Sequence, residues 1–151
     1  MADIFELITN EDLDGLKKLL QSNPSIANTM NEQGFTPLIS AVEGGNIEII
    51  KLLLEQGANP NQEDEETGST PLIAAIENNN IEIINLLLKH GANLKNQDGK
   101  MLTPLIVAIE EGNIEIIKLL LEKGANPNEA DQQGFTPLLI AIENDSKVFQ
   151  G

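Results

Sequence analysis

The 151-residue sequence contains no cysteine, arginine, tryptophan or tyrosine, and it has one histidine and four phenylalanines. Without cysteine there is no disulfide framework and no thiolate chemistry, and the redox compartment stays open, a reducing one being compatible. Without arginine all nine basic residues are Lys, so the planar fork that reads phosphate and guanine is missing. A net charge of −15 adds repulsion from nucleic acid and anionic lipid, and neither is expected as a partner. His90 has no Cys, second His or triad to join, so no metal site and no nucleophilic centre is expected. Phosphate-loop glycine patterns do not occur, and Asp98-Gly99 lacks the spaced carboxylates of a calcium loop. The chain is therefore expected to be no enzyme and to carry no catalytic residue and no cofactor. No apolar run approaches the roughly 18 residues that span a bilayer, and Met1-Ala2-Asp3-Ile4-Phe5-Glu6 lacks the basic start of a secretory signal. A soluble, cytoplasmic monomer is the expectation.

What the chain does have is a period. Thr-Pro-Leu recurs at residues 36–38, 70–72, 103–105 and 136–138, in steps of 34, 33 and 33. Gly-Ala-Asn recurs at 57–59, 91–93 and 124–126, and Asn-Ile-Glu-Ile-Ile at 46–50, 80–84 and 113–117. Three motifs in one register mean one supersecondary unit stacked on copies of itself. Such a stack offers a long surface to another macromolecule more naturally than a closed pocket for chemistry.

Each unit reads alike. Thr before Pro suits an N-cap hydroxyl followed by a ring that starts a helix without wasting an N–H. The short first helix is apolar at nearly every position, as in residues 38–42, which signals burial on both sides. A polar break through Gly44-Gly45-Asn46, Asn78-Asn79-Asn80 or Gly112-Asn113 leads to a second helix, apolar at i, i+3 and i+4, that ends at Gly57, Gly91 or Gly124. About ten polar residues then form a loop or extended turn. Glu48, Glu82 and Glu115 fall in the first turn of the second helices, where a carboxylate meets the positive end of the dipole.

Through Thr-Pro-Leu-x-x-Ala in four copies, Asn-Ile-Glu-Ile-Ile-x-Leu-Leu-Leu in three and Gly-Ala-Asn in three, the chain resembles the ankyrin-repeat family over nearly its whole length. The resemblance implies an all-α solenoid of helix-turn-helix units with hairpin-like connecting loops. In one domain it places an N-terminal capping repeat at about 1–34, repeats at about 35–68, 69–101 and 102–134, and an incomplete repeat at about 135–151. Where the family commonly has His after Thr-Pro-Leu, this chain has Ile39, Ile73, Ile106 and Leu139, so apolar packing is expected to replace hydrogen bonds between repeats. The loop from Asn59 to Thr70 is one residue longer than its equivalents and contains Glu63-Asp64-Glu65-Glu66. The third carries Met101 where a turn Gly is expected, so both loops should differ in shape. The half repeat at the C-terminus is open to two readings, a natural end or a cut and tagged chain.

The resemblance also implies protein recognition on the concave side. By register this side takes Phe35, Ser69, Leu102 and Phe135 before the Thr, and Ser40, Ala74, Val107 and Ile140 on the first helix. They form either an apolar strip for a partner or packing against the adjacent loop. Glu43, Glu77, Glu110 and Glu143 flank them as a ladder at about 10 Å spacing. Neighbouring rungs repel by only about 0.4 kcal/mol in water, so the ladder fits a solvated face as well as a basic target. A protein-binding module is the leading function. The alternatives are an acidic inhibitor or immunity-type protein that blocks a basic enzyme, and a truncated or engineered scaffold with no partner of its own. In other ankyrin-like proteins an Asn after the Gly-Ala-x-x step is an oxygenase substrate, a place held here by Asn61 and Asn128.

Overall fold

In the computed structural model, which describes residues 3–95, 103–128, 134 and 136, eight α-helices follow one another. They are α1 (Ile4–Thr9), α2 (Leu13–Ser22), α3 (Pro37–Gly44), α4 (Ile47–Glu55), α5 (Pro71–Glu77), α6 (Ile81–Lys89), α7 (Pro104–Glu111) and α8 (Ile114–Glu122), with a 3-10 turn at Pro24–Asn28. No strand occurs among the described residues. Contacts gather into two compact units, residues 1–92 and 93–151.

The helix boundaries follow from capping chemistry. Thr36, Thr70 and Thr103 are extended, and each hydroxyl oxygen accepts the N–H of the Ile three residues on, at 3.2, 3.3 and 3.2 Å. Pro at the next position has no N–H to leave orphaned. Asn46, Asn80 and Asn113 cap the second helices in the same way, at 3.2, 3.1 and 3.2 Å. At the far ends, Gly57, Gly91 and Gly124 take φ of 94°, 94° and 100°. That turn lets the N–H of Ala58, Ala92 and Ala125 return to the carbonyls of Leu53, Leu87 and Leu120 at 2.9, 3.0 and 2.9 Å, satisfying groups a helix end otherwise orphans. Asp3 and Asp12 do the capping for α1 and α2, accepting from Glu6 and Gly15 at 2.8 and 2.9 Å.

In the first unit the helices pair as hairpins, α1 with α2, α3 with α4 and α5 with α6, while α3 packs on both α1 and α5 and α2 on α4. Ile4, Leu16, Leu20, Leu38, Ile49, Ile50, Leu53, Leu72, Ile76, Ile83 and Ile84 have almost no exposed surface. The isoleucines at the family's His position lie in the same core, Ile39 and Ile73 being 2% exposed. The sequence expectation of apolar packing there is met. Polar rungs nevertheless join the repeats elsewhere. Asn28 donates through Nδ2 to the Gly57 carbonyl at 3.0 Å and accepts the Asn59 N–H on Oδ1 at 2.7 Å. Asn61 donates in turn to the Gly91 carbonyl at 3.1 Å. The equivalent place in the next repeat holds Lys95, whose side chain can donate but has no amide oxygen to accept a backbone N–H as Asn28 does.

In the second unit α7 packs on α8 over Leu105, Ile106, Ala108, Ile116 and Leu120, with Ile106 fully buried. The turn at Gly99 and Met101 and the half repeat beyond Thr136 lie outside the described residues.

Candidate partner-binding site

Two loops frame the loop-tip side of the first unit. In the first, the Asn31 N–H donates to the Phe35 carbonyl and the Gly34 N–H to the Asn31 carbonyl, both at 3.0 Å. The Asn31 Oδ1 accepts from the N–H groups of Gln33 and Phe35, each at 3.0 Å. Four hydrogen bonds thus close a tight turn that fixes the position of Phe35. In the second loop Asp64 takes the part of Asn31. Its Oδ1 accepts the Thr67 N–H at 2.6 Å, its Oδ2 accepts the Thr67 hydroxyl at 2.7 Å, and its own N–H donates to the Ser69 carbonyl at 2.9 Å. Of the acidic run at residues 63–66 only Asp64 is buried, and the extra residue of this loop is absorbed in the turn around Thr67. The Glu65 N–H then donates to the Gly34 carbonyl at 3.1 Å, tying the two loops together. Gly34, at φ 82°, admits this approach because a Cβ there would stand 2.9 Å from that of Glu65.

Beside the first loop a groove of about 840 Å³ opens between α1, residues 26–35 and Ser40 of α3. Phe5, Ile26, Met30 and Phe35, each half-buried, supply its apolar lining. Asp3, Glu6 and Glu32, all exposed, stand along it. Asp3 is committed to the α1 cap. Among the described residues lining the groove there is no Lys.

The structure distributes the residues that the repeat register had put together. Phe35 and Ser40 meet in this groove. Ser69 is half-buried in the second loop, donating its N–H to the Thr67 hydroxyl at 3.2 Å. Glu43 and Glu77 are exposed on α3 and α5, and Glu110 is exposed on α7. Ala74 and Val107 are 4% and 8% exposed and offer almost no surface. Buried to this degree, they belong with the core. Leu102, Phe135, Ile140 and Glu143 lie outside the described residues. The register alone overlooks Phe5, Ile26 and Met30, because none of them recurs with the period. The available signal was that Phe5 lies off the Ile4-Leu7-Ile8 stripe that α1 buries, in a chain with very few aromatic residues.

A family model described as Ankyrin repeats (3 copies) matches residues 4–98 and 92–150. The chain belongs to the ankyrin-repeat family. Comparison with curated proteins returned no match. Ankyrin repeats are generally protein–protein interaction modules and typically non-enzymatic scaffolds. In this ankyrin chain Glu48, Glu82 and Glu115 lie in first helical turns, as dipole stabilisation requires. His90 caps the C-terminus of α6 through its backbone N–H. Among the described residues no three His, Cys, Asp or Glu converge as a metal site, and no helix is long and apolar enough to cross a membrane.

Proposed function

We propose that the chain recognises a partner protein through the loop-tip side of its repeats, with Phe35 as an apolar anchor beside Ser40 and with Glu43, Ser69 and Glu77 as further contacts. The observation that carries this reading is the groove itself, since a half-buried Phe held by a four-bond turn is pre-organised and loses little freedom on binding. Glu110 of the second unit, with Leu102, Phe135, Ile140 and Glu143, is proposed as partner-contacting by sequence register alone. The protein acts as a cytoplasmic monomer without catalysis, cofactor, nucleic acid or membrane.

A second reading is favoured by the charge of −15, namely an acidic inhibitor or immunity-type protein that occludes a basic enzyme. Capture of partners on the immobilised chain, washed at low and then high salt, separates the two. The recognition reading expects a partner held at high salt by the native chain and lost with Phe35→Ala. The inhibitor reading expects a basic partner released by salt and lost with Glu43→Lys/Glu77→Lys. An empty eluate from every lane contradicts both and favours a scaffold without its own partner.

A further inference from the structure

Among the described residues, every Phe and Met side chain lies at one place. Two of the four Phe residues and one of the three Met residues line the groove between α1 and the Asn31 turn. A half-buried aromatic contributes large rigid area at low entropic cost, and Met adapts its shape to what it meets. Phe5 is half-buried and lies outside the fully buried stripe of α1, which is Ile4, Leu7 and Ile8. The volume of about 840 Å³ admits several side chains. Charge selects among possible occupants. Glu6 and Glu32 stand exposed beside the apolar lining with no Lys among the described lining residues, on a molecule of net charge −15. An anionic or uncharged segment would find repulsion or nothing along that edge, whereas Lys or Arg beside an apolar side chain satisfies both parts of the surface.

We infer that this groove, formed by the N-terminal helix and the first loop, binds a cationic segment of a partner protein whose apolar side chains enter between Phe5, Met30 and Phe35 while flanking Lys or Arg residues meet Glu6 and Glu32. The inference rests on the protein-recognition reading and names the site and partner chemistry within it. Affinity comes from the apolar contacts and association rate from the carboxylates.

The test selects a displayed library of random dodecapeptides on the immobilised full chain and titrates synthetic copies of the enriched peptides into isotope-labelled protein. Enriched peptides should carry Lys or Arg next to Leu, Ile or an aromatic, and should shift amide signals of residues 3–10 and 26–40. Phe5→Ala/Met30→Ala should weaken binding about tenfold. Glu6→Gln/Glu32→Gln, which alters only exposed side chains and keeps the fold, should slow association about threefold at low salt and have no effect at high salt. Enrichment of acidic or uncharged peptides overturns the inference, as do shifts confined to other residues or an unenriched library. The broader recognition reading fails only if lysate capture on the native chain is also empty.

Discussion

Gly57 and Gly34 both hold positive φ, yet their substitutions should differ for reasons that lie within a few ångströms. At Gly57, φ is 94° and nothing stands within 4 Å of where a Cβ would go. Gly57→Ala therefore measures backbone strain alone and should cost about 1–2 kcal/mol, read as a lower urea midpoint at unchanged slope. At Gly34 the added Cβ would also press on Glu65, 2.9 Å away, so Gly34→Ala should cost more and disturb the Glu65 to Gly34 hydrogen bond. Equal midpoints for the two variants would contradict the placement of the two loops. The helix-ending role of Gly57, Gly91 and Gly124 is legible from their recurrence after an apolar run. The close approach at Gly34 is not, because it depends on a backbone 31 residues away in sequence.

At the scale of elements, the first helices hold by burial and the loops by polar closure. Ile73 sits in α5 at 2% exposure, and Ile73→Ala should cost about 2–4 kcal/mol through lost transfer energy and a cavity, measured by chemical denaturation. Asp64 closes the second loop through Thr67. Asp64→Ala removes the acceptor of two donors and should cost about 1–3 kcal/mol, with Asp64→Asn retaining part of the closure. If Asp64→Ala were as stable as Glu66→Ala, the buried carboxylate would have no structural role. The helices, their caps and the replacement of His by Ile could all be read from Thr-Pro-Leu and Asn-Ile-Glu-Ile-Ile, since capping and 3.6-residue periodicity are local signals. Asp64 was hidden in an acidic run that resembles a solvated surface, and the Asn28 and Asn61 rungs were hidden among many polar loop residues. Their partners, Gly57 and Gly91, are set by stacking rather than by neighbouring sequence. The same distinction separates Phe35 and Ser40, which register locates, from Phe5 and Met30, which only the fold brings to them. It also accounts for Ala74 and Val107, whose in-register places are covered by packing.

For the molecule as a whole, charge is the dominant feature. With 24 acidic residues against nine Lys, self-repulsion opposes the compact state, so the thermal midpoint should rise with sodium chloride up to a few hundred millimolar. A midpoint that falls with salt would mean that attractive ion pairs outweigh this repulsion. In the proposed mode of recognition the same charge speeds encounter with a cationic partner, and the apolar groove holds it. The most direct test of that division is hydrogen–deuterium exchange of the chain alone and with a partner captured from lysate. Protection should appear at residues 3–10 and 26–40, around Phe5, Met30 and Phe35. Protection confined to the second helices, at residues 47–55 and 81–89, would contradict recognition through the groove.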